Sequence, residues 1–315
     1  MQGFIVRRLF TAMVAALAAT MVVFGISRLA GDPLLLYAKP GGYGKSPEQT
    51  AALKNKLGLD RPLVVQYVIW LRNLGRGDFG RSLLDDRQVA QVLRERTSAT
   101  LKLALGAWVF ATVVGVPLGV LSAVKRATVP DYLGRGFALF GQALPAFWIG
   151  MMAILVFAVK LHLLPSATLP SDAPLLNQIK YLILPAIAAG WGPAAGLTRL
   201  TRSAMLETLD SEFIKFARCK GVSSWKVVWK HAFRNALIPP LTMSALMLAG
   251  FLNGVVVVEV VFAWPGIGRL ALDAVWNNDF PLLTGTVLGF AGLILIVTFL
   301  ADVAYAYIDP RIRYR

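Results

Sequence analysis

The sequence predicts an all-α polytopic membrane protein with about six transmembrane helices, and three observations support this fold class. Apolar residues make up 57% of the 315 residues and charged residues only 16%, whereas soluble domains usually have about a quarter. Six uncharged windows approach or exceed the roughly 20 residues that a helix needs to cross the hydrocarbon core. Basic residues gather in loops on one side, so topology rather than nucleic-acid binding explains the net charge of +15.

The first window also has features of a signal peptide, because Arg7 and Arg8 precede it. Its apolar core is longer than the ~7 to 15 residues of a signal peptide, so we predict a retained helix. The predicted spans are residues 9–27, 103–124, 136–159, 181–198, 236–258 and 280–301.

The distribution of Lys and Arg predicts the orientation. Sixteen of these residues lie in the termini and short loops of one side, whereas the other side has three, Lys160, Lys180 and Arg269. Because cytoplasmic loops carry the excess of positive charge, both termini are predicted to be cytoplasmic. The long segment after the first span has charges of both signs, and a loop of that length is translocated regardless of charge.

That segment, residues 30–97, is predicted to form a small periplasmic subdomain. It contains GDP at 31–33, a glycine-rich stretch and a short helix over 48–57 that Gly58 closes. The predicted organisation is an N-terminal transmembrane helix (1–29), this subdomain, a core of five helices (98–310) with a cytoplasmic loop at 203–236, and a cytoplasmic tail (311–315).

Residues with catalytic or ligand-binding chemistry are few. Cys219 is the single cysteine, which excludes an internal disulfide, and His162 and His231 lack metal-ligand spacing. The sequence has no G-x-x-x-x-G-K-[ST] loop to cradle ATP phosphates. We therefore predict no catalytic residue, metal site or bound cofactor, and active transport would need ATP and Mg²⁺ on a separate ATPase.

Polar groups inside the predicted spans are Gln142, Asn253 and Glu259. Because an unsatisfied polar group in hydrocarbon is costly, these side chains should face other helices or a translocation path, and both interpretations remain open. Gly285 and Gly289 have GxxxG spacing, which favours helix packing or dimerisation.

The cytoplasmic loop contains FIKFARCKGVSSWKVVWKHAFRNALIPP at 213–240, with six Lys and Arg residues. Apolar residues recur at three- and four-residue steps on either side of Gly221, and Ser223 or Ser224 can cap the second run. This pattern predicts two amphipathic helices joined by a sharp turn. Such a pair suits an anionic lipid surface or a groove on a cytoplasmic protein, and the missing phosphate loop makes an ATPase the expected partner.

The loop resembles the EAA loop of importer permeases of the ATP-binding-cassette (ABC) superfamily. Against the general pattern E-A-A-x-x-x-G, Ala217 and Gly221 match, whereas Lys215 and Phe216 stand at the Glu and first Ala positions. The general pattern continues with I-x-L-P, which begins after nine further residues. Phe233 stands at its Leu position, and His231 and Arg234 replace its Ile and Pro.

The subgroup resemblance is closer. TRSAMLETLDSEFIKFARCKG is similar to the loop of dipeptide, oligopeptide and nickel importer permeases. Similar stretches cover nearly the whole chain: RRL at 7–9, GDP at 31–33, LGLDRPLVVQY at 57–67, GDFGRSL at 77–83, LPAFWIG at 144–150, LPAI at 184–187, FAWPGIGRL at 262–270 and DPRIRY at 309–314. The long first external segment resembles that of the first, B-type, permease of such systems.

The resemblance implies a type I ABC importer permease of the bacterial inner membrane, with no enzymatic activity of its own. Its partners would be a second, similar permease in a heterodimer, two cytoplasmic ATPases that use ATP and Mg²⁺, and a periplasmic or lipid-anchored binding protein. The residues implied in ATPase coupling are Glu212, Phe213, Phe216, Ala217, Arg218, Lys220, Gly221, Trp225 and Trp229.

Di- or oligopeptides are the expected substrates, and nickel chelates, glutathione, oligosaccharides or opine-like solutes are alternatives within the same importer class. A stand-alone secondary transporter is the rival from another class. It would need coupling-ion groups in the membrane, of which the sequence has few, and it leaves the basic loop without a function.

Overall fold

The computed structural model describes residues 2–29, 60–166 and 175–308. These residues form helices and loops, with one isolated β-bridge between Arg81 and Gln88. The helices are α1 (Gln2–Leu29), α2 (Leu63–Gly75), α3 (Val89–Val124), α4 (Val129–Ala143), α5 (Ala146–Ala153, continued by a π-helical turn Ile154–Lys160), α6 (Leu175–Leu209), α7 (Glu212–Cys219), α8 (Ser224–Ala236), α9 (Ile238–Val261), α10 (Ile267–Trp276) and α11 (Phe280–Ile308). The predicted all-α class is confirmed. The predicted helix at 48–57, the GDP turn at 31–33 and the tail at 311–315 lie outside the described residues.

Four helices within the described part are long and apolar enough to cross a membrane, in α1, α3, α6 and α11. Two bent pairs, α4 with α5 and α8 with α9, raise the number to as many as six. This number agrees with the six spans predicted from hydropathy. The orientation of the termini stays a prediction.

The window 136–159, predicted as one span, is broken, because α4 and α5 meet at an angle of 110°. Pro145 lies at the break, has no N–H to donate and disfavours the helical conformation for the residue before it. Accordingly Leu144 is extended, with φ −91° and ψ 130°. In contrast, Pro117, Pro185 and Pro193 lie inside α3 and α6 without ending them.

Contacts divide the chain into two units, residues 1–100 with 265–299, and residues 101–264 with 300–315. In the first unit, the buried Asp279 carboxylate accepts hydrogen bonds from Ser82 Oγ (2.5 Å) and from the backbone N–H of Leu83 (2.9 Å). The GxxxG glycines of α11 pack on α3 of the same chain, Gly285 against Val89 and Gly289 against Leu93. Of the two interpretations of this motif, the described contacts therefore support helix packing.

In the second unit, α6 is the central helix, and α4, α5, α8 and α9 all pack against it. Helix α3 approaches α6 so closely at Gly119 that an added Cβ would lie 2.6 Å from Thr201 Cβ and 2.7 Å from the Thr198 carbonyl oxygen. Trp108 on α3 donates its indole N–H to the Ser244 carbonyl of α9 at 2.8 Å. These contacts hold α3, α6 and α9 together in a packed helical bundle.

Candidate functional site

The segment 212–236, named the elbow here, consists of α7, a turn at 220–223 and α8. One face of each helix is buried: Ile214 on α7 and Val227 and Ala232 on α8 are at most 1% exposed. These side chains pack against Met205 of α6 and against α3 at Val120 and Ala123. The apolar spacing in the sequence matches this inner face only in part. Ala232 lies on it, but Phe213, Phe216, Trp225 and Trp229 are exposed, and Ile214 and Val227 are buried in their place. The inner face joins the elbow to the ends of two long helices.

Gly221 closes α7 with a left-handed backbone at φ +75°. The Val222 N–H donates to the Ala217 carbonyl (3.2 Å) and the Gly221 N–H to the Arg218 carbonyl (2.9 Å). This pair of bonds is the Schellman motif, in which the residue after the cap usually has positive φ and the next residue makes an apolar contact. Val222 makes that contact by packing on the inner-face cluster.

The outer face of the elbow is aromatic. Trp225 is 72% exposed and Phe216 61%, and Phe213 and Trp229 are also exposed. The Trp225 and Trp229 ring centroids lie 5.3 Å apart with their planes inclined at 51°, so the two rings are in tilted contact. These four residues are the outer aromatic surface.

Cationic side chains surround the outer aromatic surface. The Lys220 ammonium lies 4.5 Å from the Phe216 ring centroid, a cation–π contact. Glu212 pairs locally with Lys215 at 2.7 Å. The remaining exposed cations of the elbow are Arg218, Lys226, Lys230 and Arg234. The exposed aromatic residues and Arg are of the types enriched at protein-binding patches, whereas Lys, which supplies four of the six cations, is usually depleted there.

Three further residues singled out in the sequence of the elbow are Ala217, Cys219 and Ser223. Ala217 is half-buried, in keeping with its place in the Schellman motif, and Cys219 is exposed. Ser223 is the N-cap residue of α8 by position, but its side chain makes no capping hydrogen bond. Part of α8, Val227–Phe233, is π-helical.

Gln142 and Glu259, two of the three polar residues predicted inside the membrane, differ in their surroundings. Glu259 is completely buried near the end of α9, and the side chain of Asn253 lies outside the described part. Gln142 is exposed and lines a cavity of about 530 Å³ between α4 and α6, together with Arg135, Arg199 and Thr198. Of the side chains of Gln142 and Glu259, that of Gln142 therefore faces an open space and that of Glu259 does not.

Sequence reasoning missed a buried polar cluster next to the elbow. The Asp131 carboxylate, 1% exposed, pairs with the Arg202 guanidinium in two parallel hydrogen bonds of 2.8 and 3.0 Å. Arg202 had been counted among loop cations, but α6 continues through it to Leu209. One signal was available, since Asp131 is the only acidic residue between Glu95 and Asp172.

Comparisons with known proteins give the family. Residues 115–314 match the family described as binding-protein-dependent transport system inner membrane component, and residues 1–104 match the N-terminal region described for membrane components of the same systems. The chain is 36% identical over 340 aligned positions to the dipeptide transport system permease protein DppB of Escherichia coli (strain K12), with both chains fully covered.

Two further relatives are similar over their whole length. The identity is 38% to the oligopeptide transport system permease protein AppB of Bacillus subtilis (strain 168) and 39% to a putative peptide transport system permease protein of Brucella abortus (strain 2308). Among solved structures, a chain of the inward-facing MetNI methionine ABC transporter has the same fold, with a TM-score of 0.55 and 18% identity over 70% of this chain and 97% of that one.

The two family matches together extend over nearly the whole sequence. The relatives are permease subunits, and their resemblance to this chain is not confined to the cytoplasmic loop. The chain therefore belongs to the family of binding-protein-dependent transport system inner membrane components, as a non-catalytic permease subunit of an ABC importer.

Proposed function

We propose that this chain pairs with a second permease to form the translocation path for di- or oligopeptides, which a periplasmic binding protein delivers. The elbow would dock into a groove on one of two cytoplasmic ATPases, so that their closure on ATP moves the helical bundle between inward- and outward-open states. ATP and Mg²⁺ would bind to the ATPases and not to this chain.

The observation that carries the docking proposal is the two-sided construction of the elbow. Its inner face is fixed to α3 and α6 by side chains that are at most 1% exposed, while the outer aromatic surface has no covering among the described residues. Exposed contiguous apolar patches usually mark interaction sites. A surface attached rigidly to two long helices is suited to transmit force, because a push on it moves those helices.

A peptide substrate is supported by the relatives, whose names refer to dipeptide, oligopeptide and peptide transport. Nickel chelates, glutathione, oligosaccharides and opine-like solutes remain the alternatives within the importer class. Gln142 is the best-placed residue for a path contact, because it lines the open cavity between α4 and α6. Asn253 and Glu259 stay candidates from the sequence.

The docking proposal is tested by substituting the two tryptophans that are in contact on the outer aromatic surface. Trp225→Ala or Trp229→Ala should sharply reduce the amount of ATPase that co-purifies with this chain, because buried aromatic anchors at interfaces commonly contribute ~2 kcal/mol or more. Trp276→Ala is the matched control, since Trp276 is 80% exposed but lies on α10, outside the elbow.

Loss of co-purification in both elbow variants and not in the control supports docking at the outer aromatic surface. Unchanged co-purification, with reduced binding of the purified chain to anionic vesicles, would assign this surface to lipid instead. The substrate class is tested separately, by measuring which of peptides, nickel chelates, glutathione and oligosaccharides stimulates ATP hydrolysis through the binding protein.

A further inference from the structure

We propose that Asp131, Arg202 and Ser122 form a positioning clamp that transmits movement of the elbow to α4. The three residues are called the clamp below. This inference rests on the proposed function, because it concerns how displacement of the elbow by the ATPase reaches the rest of the bundle. Arg202 also lines the cavity between α4 and α6, but in this proposal the clamp residues act through the helices that they join and not by contact with substrate or nucleotide.

The clamp connects three helices and one turn. The Asp131 carboxylate at the start of α4 accepts hydrogen bonds from Arg202 of α6, from Ser122 Oγ of α3 (2.6 Å) and from the backbone N–H of Ala127 in the α3–α4 turn (3.0 Å). Arg202 Nε also donates to Ser122 Oγ at 3.1 Å. Ala127 has φ +60°, a left-handed conformation that is uncommon for a residue other than glycine.

The clamp lies on the same helices that hold the elbow. On α3, Ser122 lies between Val120 and Ala123, which contact the inner face of the elbow. On α6, Arg202 precedes Met205, another elbow contact, by one helical turn. The apolar contacts fix the elbow to α3 and α6, and the adjoining clamp fixes α4 to the same two helices, so movement of the elbow should carry α4 with it.

The burial and charge of the clamp favour a role in geometry. The Asp131 side chain is 1% exposed and that of Arg202 is 23% exposed, so both charges are largely removed from water. A buried ion pair is weak support for stability, because desolvation offsets much of its attraction, but two parallel bonds to a planar guanidinium define orientation closely. Few substitutions of Asp131 or Arg202 would keep the two parallel hydrogen bonds between them.

The C-terminal end of α4 lines the cavity proposed for the path, so movement of α4 at the clamp would affect that cavity. Gln142 lies eleven residues after Asp131 on the same helix, about 16 Å along its axis at 1.5 Å per residue. A rotation of α4 at the clamp would therefore displace the lining of the cavity between α4 and α6. The clamp thus connects the elbow to the part of the bundle that we propose for the path.

The test compares ATP hydrolysis with and without loaded binding protein, for the assembled complex in lipid nanodiscs. Asp131→Asn, Arg202→Gln and the double variant remove the ion pair. Ser122→Ala removes the hydrogen bond to Asp131 and the one from Arg202, and leaves the two charges paired with each other. The matched control is Arg126→Gln, which removes an exposed pair with Asp210 (3.9 Å) between the α3–α4 turn and the segment before the elbow.

We expect Asp131→Asn and Arg202→Gln to keep ATPase co-purification and basal hydrolysis but to lose about fivefold or more of the binding-protein stimulation, the lower end of usual allosteric coupling factors. The double variant should be no worse than the single ones, and Ser122→Ala should show a smaller loss. Arg126→Gln should match the wild type.

Unchanged stimulation in Ser122→Ala and in both charge variants, with only a lower thermal stability, would overturn the clamp and leave the cluster as a structural contact. If a charge variant does not accumulate in the membrane, the Ser122→Ala result decides. Failure of the proposed function differs from both outcomes, because there the wild-type chain would not co-purify with an ATPase.

Discussion

Substitution of Gly221 tests whether the elbow needs a particular backbone rather than a small side chain. A Cβ added at Gly221 meets nothing within 4 Å, so Ala or Leu would not clash. The backbone, however, has φ +75°, and a left-handed conformation costs a residue with a Cβ about 1–2 kcal/mol. This free energy corresponds to a ~5- to 30-fold smaller population of the correctly formed turn.

Three variants of Gly221 distinguish the cost of the left-handed backbone from the effect of a larger side chain. Gly221→Ala and Gly221→Leu should reduce substrate uptake per ATP hydrolysed by similar factors, because the backbone cost is shared and the space is open. Gly221→Asn should stay close to wild type, since Asn tolerates left-handed backbone better than other residues. The assay is uptake and ATP hydrolysis measured together in proteoliposomes that contain the whole complex.

Two results would refute the reasoning. Coupled uptake at the wild-type level in both Gly221→Ala and Gly221→Leu would mean that the turn is not needed in this form. A large defect in Leu alone would mean that the open space beside Gly221 is filled by a partner, so that steric fit and not backbone conformation is the cause.

Further predictions follow from other parts of the structure. Cys219, the single cysteine of the chain, is exposed beside the turn, and docking of the ATPase should slow its reaction with a maleimide while release of the ATPase restores it. Gly119→Ala should lower the thermal stability of the purified chain by ~1–3 kcal/mol because the added Cβ meets the backbone of α6, whereas Gly292→Ala, with nothing within 4 Å, should not destabilise it. Asp279→Ala should cost roughly 1–3 kcal/mol because buried donors at Ser82 and Leu83 lose their acceptor, and Asp273→Ala, at an exposed carboxylate on α10, is the control for thermal unfolding.

Hydropathy predicted the all-α class and the approximate positions of the spans because burial in hydrocarbon requires long apolar stretches whatever the detailed packing. The break at Leu144 could not be predicted with the same ease, since Pro117, Pro185 and Pro193 are also prolines in apolar windows and do not end their helices. Whether a proline breaks a helix depends on tertiary contacts that replace the missing hydrogen bond.

The two helices of the elbow and the turn between them were accessible from sequence because apolar spacing and the central glycine are local signals. Which face is buried was not, since Phe213, Phe216, Trp225 and Trp229 are exposed. The clamp was not, since its partners are separated by up to 80 residues and no local pattern relates them. Similarly, the burial of Glu259 and the exposure of Gln142 depend on which helices pack together. The roles of these residues and of the coupling loop stay predictions until the variants are measured.

The two-faced elbow also explains how this chain departs from the general EAA pattern. Of the residues that differ from that pattern, Lys215, Phe216 and Arg234 are exposed and His231 is partly buried. Ala217 and Gly221, which match it, belong to the Schellman motif. Folding therefore restricts one set of positions and leaves the other free to vary. Because its inner face fixes the elbow to α3 and α6, little conformational entropy should be lost on docking, and substitutions at the variable positions can change which ATPase is recognised without changing how the permease folds.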